Sequence, residues 1–251
     1  MFYLGFDFRE NNSSSFPGMK NPLADERVRQ ALYHAIDVTS IIKILGLAAE
    51  PASQFLSPLI FGYNPQIKRL PYDLNLSRQL LRAAGYEHGF NITLDCPESY
   101  VLQVEICEEI VRQLSQVVNA SLNLLASEEE YYTKLYMGNC SIYFLGWIPA
   151  TGDGGEIFDY LLRSENHPLG RGSYNFGYYS NNTVDEITSK VSYTMSQKTR
   201  MNLMRDGFSV AMDDVACIPL YISVCNNAFP EYLEWSPRSD LNTLVEEITV
   251  K

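Results

Sequence analysis

One short stretch, LGWIPATGDGGEIFDYLL at residues 145–162, concentrates residue types that could do chemistry. It places Trp147 close to three acids, Asp153, Glu156 and Asp159, and to several glycines. The acids lack the D-x-[DN]-x-[DN]-G order and the glutamate at the twelfth position of a calcium loop, so a metal is disfavoured. Asp153 between glycines fits a turn, and the other two acids fit the start of a helix, whose dipole favours them. A phosphate site, a catalytic acid and the mouth of a binding cleft stay open as alternatives.

Motifs that identify enzymes are absent from the sequence. It has no G-x-x-x-x-G-K-[ST], no H-E-x-x-H, no G-x-S-x-G and no G-x-G-x-x-G after a strand. The histidines, His34, His88 and His167, share no spacing that would suggest a metal or a catalytic base. We therefore predict a protein that is not an enzyme and that needs no metal or other cofactor.

Tyrosine is unusually frequent, with 17 in 251 residues, and it occurs in two clusters. The cluster at 131–136 has helical spacing, which favours packing over binding. The other lies in the loop GSYNFGYYSN at 172–181 and includes Tyr174, Asn175 and Tyr178. Aromatic rings with one polar tip suit wet pockets for ligands of varied shape, so this loop is the better binding candidate.

The charge balance excludes one class of partner. Thirty acidic and nineteen basic side chains give a net charge of -11, and such a surface repels the phosphates of nucleic acid. The sequence contains no run of 18 apolar residues that could span a membrane, and its start, FYLGFDF, is typical of a strand rather than of a signal peptide. From that start we expect the chain to be the later part of something longer.

The cysteines carry no recognisable site. They are odd in number and never spaced as C-x-x-C, so a zinc site is not predicted. Most lie in apolar stretches, where a free cysteine packs as a small hydrophobic residue. We expect four of the five to have this packing role, and they do not identify the redox compartment; the five are Cys96, Cys107, Cys140, Cys217 and Cys225.

Hydrophobic periodicity supplies the elements that must position these residues. Alternating strands and helices at 91–147 predict a βαβαβ unit, and Val104, Cys107, Ile110, Val111 and Leu114 fall on the buried face of its longer helix. Ligands collect beyond the carboxyl ends of such strands, and Trp147 lies at one of them. The remaining elements are predicted as a strand at 1–8, helices near 24–36, 39–45, 75–84, 183–194 and 198–213, a proline-containing loop at 46–73, a strand at 217–224, and an irregular tail with a last strand at 247–250.

A combination of motifs resembles a known family. NPLADERVRQALYHAID, PYDLNLSRQLLRAAGYEHGFNITL, YFLGWIPATGD, GYYSNNTVDEI, ACIPLYI and WSPRSD follow, in order, the later half of the extracytoplasmic solute-binding proteins of family 5. The resemblance implies an α/β lobe of the type II periplasmic-binding-protein class, with a mixed sheet and helical crossovers, as a fragment of a two-lobe receptor. Residues 1–225 would form the second lobe and the hinge strands, and residues 226–251 a tail returning toward the first lobe.

The same resemblance implies a function and a place for it. Family members capture a peptide, an oligopeptide or nickel for the permease subunits of an ABC importer, at the periplasmic or extracellular face of the membrane. The alternative is the ligand-sensing domain of a transcription regulator built on the same receptor fold. The solute itself is not identified by the sequence.

In the family, the turn that follows the Gly-Trp pair is part of the cleft wall. By that resemblance Gly146 would let the ligand or the opposing backbone approach, Trp147 would present a flat apolar face, and Gly152 with Asp153 would shape the turn. The resemblance thus favours the mouth of a binding cleft among the alternatives for this stretch.

Two positions depart from the family pattern. Ala150 stands where peptide-binding members carry an aspartate for the ligand's ammonium group, and Asp153 is the nearest substitute. Glu98 stands near the place of the arginine that dipeptide receptors use for the carboxylate, while Tyr100 is retained. Since charged ends need partners inside a cleft, a dipeptide is a poor expectation for the ligand.

Overall fold

The computed structural model describes residues 1–11, 13–46, 49–98, 102–224, 227–238 and 242–251, without the side chain of His167. The strands are β1 (Phe2–Phe6), β2 (Ala49–Pro51), β3 (Asn91–Pro97), β4 (Asn119–Leu125), β5 (Ile142–Gly146), β6 (Ile218–Ser223), β7 (Leu233–Glu234) and β8 (Thr249–Val250). The helices are α1 (Glu26–His34), α2 (Val38–Leu45), α3 (Leu74–Ala83), α4 (Gln103–Leu114), α5 (Glu128–Tyr136), α6 (Gly155–Ile157, continued as a π-helix over Phe158–Leu162), α7 (Asn182–Tyr193) and α8 (Gln197–Asp213).

The main sheet is mixed, with the strand order β2-β6-β1-β5-β3-β4. Strand β3 pairs in parallel with β4 and β5, whereas β1 pairs antiparallel with β5 and β6. The predicted βαβαβ unit is therefore confirmed, with α4 and α5 as its crossovers. Strands β3, β4, β5 and β6 run in one direction, so their carboxyl ends and the first residue of β1 meet at what we call the carboxyl end of the sheet.

Polar side chains at the N-caps determine where most helices begin. Each cap accepts a hydrogen bond from a backbone N–H of the first turn, which would otherwise lack a partner. Asp25, which the sequence places in the first turn of α1, is in fact its cap. The capping residues are Asp25, Asp37, Asp73, Ser127, Asn181 and Ser196.

The buried face of α4 differs slightly from the predicted one. Cys107, Ile110 and Leu114 are fully buried, but Val104 and Val111 are only partly covered. Ile106, which the predicted face does not include, takes their place. All five predicted residues are thus mostly buried, as expected, with Val104 and Val111 at the margin of the buried face.

The expectation that the cysteines pack as free thiols was wrong for one pair. Cys96 at the carboxyl end of β3 forms a disulfide with Cys107 of α4, across a separation of 11 residues. Their spacing gives no C-x-x-C signal; the packing of α4 against β3 brings them together. Cys140 and Cys217 are free and buried, and burial raises the pKa of both thiols, so they stay protonated. Cys225 lies outside the described residues.

Two further elements were not predicted. The loop at 46–73 contains β2, which pairs with β6, and the tail contains β7, which pairs with β8 in a small separate sheet. The last strand itself is confirmed but short, at Thr249–Val250. Within the described part of the chain, no helix is both long and apolar enough to cross a membrane.

Candidate functional site

Trp147 follows directly on β5 at the carboxyl end of the sheet. Its backbone pairs in both directions with Met1: the Trp147 N–H donates to the Met1 carbonyl at 2.9 Å, and the Met1 amino group donates to the Trp147 carbonyl at 3.0 Å. A Cβ on the preceding Gly146 would lie 2.7 Å from the ring of Phe2. In this structure the glycine therefore makes room for Phe2 on β1, and the ladder fixes the backbone of Trp147.

The side chain of Glu156 holds the turn after Trp147. Its carboxylate accepts a hydrogen bond from Trp147 Nε1 at 3.1 Å and a longer one from the Ala150 N–H at 3.3 Å. It also receives the N–H and the hydroxyl of Thr151, at 3.4 and 3.3 Å. All of these donors are neutral, so the turn is ordered without any neutralisation of the Glu156 charge.

Three aromatic side chains form a continuous surface beside this turn, which we call the aromatic wall: Trp147, Tyr160 and Tyr174. The ring centroids of Trp147 and Tyr174 are 5.0 Å apart, and those of Trp147 and Tyr160 are 6.0 Å apart. Tyr160 retains 39% of its exposure, and the other two rings are partly exposed. Such a surface offers apolar area together with polar tips, which is typical of small-molecule sites.

Asp153 is committed to the protein itself. Its carboxylate forms a two-point ion pair with the Arg200 guanidinium, with Nη2 to Oδ1 at 2.9 Å, and Oδ1 also accepts the Gly155 N–H at 2.7 Å. The Phe61 backbone bonds to both sides of this residue, at Gly152 and Gly154. Asp153 thus shapes the turn as expected, but its charge is neutralised by Arg200 and is a poor substitute for the aspartate missing at Ala150.

A cavity of about 710 Å³ opens beside the aromatic wall and is lined in part by Glu156 and Tyr160. Its charged lining residues are Asp153, Glu156, Asp159, Arg163, Arg171 and Arg200. Arg163 pairs with Asp159 at 3.5 Å and donates to the Ser189 hydroxyl at 2.8 Å. In the described part of the chain, no ion pair within 4.0 Å involves Glu156 or Arg171.

The loop at 172–181 does not act as one unit. Tyr174 belongs to the aromatic wall, whereas Asn175 is buried and its side-chain amide donates to the carbonyls of Arg163 and Tyr179. Burial and then the hydrogen bond to Asp214 raise the pKa of Tyr179, so its hydroxyl stays protonated and donates to that carboxylate at 2.7 Å. Asn175 and Tyr179 therefore anchor the loop.

Tyr178 lies at the other end of the sheet from Trp147. Its ring lies under the guanidinium of Arg9, 4.4 Å from the centroid, beside Gly138 and just before β5 begins. Arg9 makes a two-point ion pair with the buried carboxylate of Asp7, which also accepts the Ser13 hydroxyl at 2.6 Å. We call Asp7, Arg9, Ser13 and Tyr178 the amino-end network. The structure does not bring Tyr178 into the aromatic wall.

The remaining predicted site residues follow β3. Glu98 is exposed at the carboxyl end of the sheet, where its N–H donates to the Leu125 carbonyl at 3.0 Å. It thus lies at the same end of the sheet as the aromatic wall. Tyr100 falls outside the described residues.

Sequence reasoning missed Tyr160, Arg171 and the part that Glu156 plays. The sequence predicts Glu156 at a helix start, which it does occupy, but its carboxylate turns back nine residues toward Trp147. For Arg171 the sequence does contain a signal, namely a charged residue between two glycines in a loop. Among the described residues no group of three metal-ligating side chains occurs.

The fold defines the class of protein. The murein tripeptide binding protein MppA of Escherichia coli aligns with 99% of this chain and 48% of its own, with a TM-score of 0.78 at 20% identity. HbpA2 of Haemophilus parasuis aligns with 100% of this chain and 48% of its own, with a TM-score of 0.78 at 17% identity. Both likenesses establish the architecture of a type II periplasmic binding protein.

The sequence places the chain within that class. Residues 1–168 match the middle region of the bacterial extracellular solute-binding proteins, family 5, and the chain belongs to this family. The glutathione-binding protein GsiB of Escherichia coli (strain K12) is 27% identical over 210 residues, which are 81% of this chain and 40% of GsiB. The chain thus spans less than half the length of the relatives it matches.

Proposed function

We propose that the protein containing this chain captures a short peptide or a related polar solute for an ABC importer, and that the aromatic wall is part of its binding cleft. The observation that carries the proposal is the partly exposed ring cluster of Trp147, Tyr160 and Tyr174 at the carboxyl end of the sheet. Open α/β sheets bind ligands at this end. Family membership supports solute capture, and the names of MppA and GsiB support a peptide-like solute.

The proposal includes an arrangement of two lobes. Residues 1–225 would be the second lobe with hinge strands, because β1 begins and β6 ends at the carboxyl end of the sheet, beside the aromatic wall. Residues 226–251 would return toward a first lobe, and permease subunits would receive the solute. Closure of two lobes around a ligand would then account for capture and release.

The place of action we propose is the periplasmic or extracellular face of the membrane. The disulfide between Cys96 and Cys107 supports it, because such bonds persist in oxidising compartments. MppA is likewise a periplasmic protein by its name. Neither MppA, HbpA2 nor GsiB favours the alternative of a regulator's sensing domain.

Tryptophan fluorescence tests the proposal when the wild type is compared with variants of this chain's two tryptophans, Trp147 and Trp235. The full gene product should show saturable quenching with a pool of tri- to pentapeptides. Trp147→Ala should weaken binding by at least about tenfold, or about 1.4 kcal/mol, as a central aromatic contact does. Trp235→Phe, the matched control, should bind as the wild type does.

Calorimetry should give the same ranking of the variants without relying on either fluorophore. Equal affinity of the Trp147→Ala variant and the wild type would remove the aromatic wall from the cleft. Absence of any peptide binding by the wild type would sink the peptide proposal itself.

A further inference from the structure

Four of the six charged residues around the 710 Å³ cavity pair with one another, and the two that have no ion pair within the described residues have opposite signs. Asp153 is neutralised by Arg200, and Asp159 by Arg163. The two others are Glu156 and Arg171, which the described residues leave without an ion pair. We propose that this cavity binds a zwitterionic solute, with its ammonium group at Glu156 and its carboxylate at Arg171. The inference rests on the proposed function, and it specifies the ligand's end groups.

The carboxylate of Glu156 is suited to binding a cation. Its two oxygens are held in place by the Trp147 indole, two backbone N–H groups and the Thr151 hydroxyl, all of which are neutral donors. None of these donors carries a positive charge, so they do not compensate the negative charge that Glu156 brings to the cavity. A ligand cation would supply the missing counter-charge.

The surroundings of Glu156 favour an organic cation. Tyr160 lines the same cavity with 39% of its surface exposed, and its ring centroid is 6.0 Å from that of Trp147. Aromatic faces attract ammonium and guanidinium groups, with a larger gain as water is excluded. A carboxylate and an exposed aromatic ring that line the same cavity therefore fit the amino end of a peptide or an amino acid derivative.

Arg171 provides the complementary end. It lies between Gly170 and Gly172, whose φ angles of 63° in both cases belong to the left-handed region that glycine tolerates. Its backbone is bonded in both directions to Asn166, which fixes the loop while the guanidinium lines the cavity. A guanidinium binds a carboxylate through two parallel hydrogen bonds, so a free carboxyl end fits here.

Chemical capping of the ligand tests each end separately. The probe is a pool of tri- to pentapeptides prepared with free ends, with acetylated amino ends, or with amidated carboxyl ends. In calorimetry on the full gene product, each cap should lower affinity by about tenfold or more, since each removes a charge that faces an opposite one. The caps should act independently if both ends are held at once.

Two substitutions connect those losses to this cavity. Glu156→Gln keeps an acceptor for the Trp147 indole. This substitution should lower the affinity for the peptides with free ends about tenfold and leave the affinity for the acetylated peptides unchanged. Arg171→Gln should also lower the affinity for the peptides with free ends about tenfold, but leave the affinity for the amidated peptides unchanged. Glu129→Gln and Lys198→Gln remove the same charges from exposed positions on α5 and α8 and should change nothing.

The outcomes separate this inference from the proposed function. If Glu156→Gln weakens binding of free and acetylated pools equally, the residue only positions Trp147, and the charge assignment is overturned. A response at one end of the ligand alone would overturn the zwitterion. If the wild type binds all three pools equally well, peptide capture stands and this inference falls; if it binds none of them, both fall. Melting temperatures of the variants, compared with the wild type, verify folding.

Discussion

The two ends of the main sheet differ in whether their charged side chains have a counter-charge within the chain. At the amino end, Arg9 forms a two-point ion pair with the buried carboxylate of Asp7, which also accepts the Ser13 hydroxyl. At the carboxyl end, the Glu156 carboxylate has only neutral donors, and Arg171 lines a cavity. Charges that are satisfied within the chain maintain the fold; those left without a counter-charge mark where a solute is expected.

The largest effect on stability should come from the amino-end network. Asp7→Asn removes the charge that faces Arg9 and weakens the charge-assisted hydrogen bonds from Arg9 and Ser13, at a cost of about 3 kcal/mol in total. Urea unfolding of the full gene product should show the loss, while calorimetry on the folded fraction should show wild-type peptide affinity.

Asp213→Asn serves as its control, because this aspartate is exposed at the end of α8. It removes the same charge and should leave the unfolding midpoint nearly unchanged. A stable Asp7→Asn variant with weakened peptide binding would reverse the roles that we assign to the two ends.

The disulfide should have the next largest effect, now at the carboxyl end. Replacing Cys96 and Cys107 by serine releases a loop with 11 residues of sequence separation. On the chain-entropy account, the cost is about 2.8 kcal/mol. Thermal denaturation with and without reductant measures it. Reductant should lower the midpoint of the wild type and have no further effect on the double variant; an equal response of both proteins would mean that this bond contributes nothing.

Substitution of Asp153 should have the smallest effect on stability. It separates the paired from the unpaired charges at the carboxyl end of the sheet. Asp153→Asn weakens a partly exposed pair with Arg200, at a cost of about 1 kcal/mol in unfolding free energy. Peptide affinity should change by less than about twofold, since this carboxylate already has its counter-ion. A tenfold loss of affinity in calorimetry, comparable to that of Glu156→Gln, would show that Asp153 contacts the solute directly.

Most of the fold could be predicted from the sequence because it rests on local patterns. Period-two and helical spacing place the strands and helices of the βαβαβ unit within a few residues of their observed bounds. The failures are non-local. Nothing in the spacing of Cys96 and Cys107 signals a bond, and β2 depends on pairing with β6 rather than on its own residues.

The site was harder to predict for the same reason. The sequence indicates that Trp147 lies beyond a strand, but it does not tell at which end of the sheet each part of a loop will lie. Tyr174 and Tyr178 are four positions apart, yet one joins the aromatic wall and the other stacks on Arg9. Glu156 has a sufficient local explanation as a helix-starting acid, which conceals its long-range contact with the Trp147 indole.

The pairing of Trp147 with Met1 has a consequence for the thermodynamics of recognition. Its backbone belongs to the β1–β5 ladder, and its indole is held by Glu156, so little conformational entropy is left for this residue to lose on binding. The rigid part of the surface is the part that would meet the ligand's amino end. Among the described residues, no side-chain hydrogen bond holds the Tyr160 ring or the Arg171 side chain, so these two can adjust to the rest of the solute. A surface of this kind discriminates strictly at one end of a solute and tolerantly along its length.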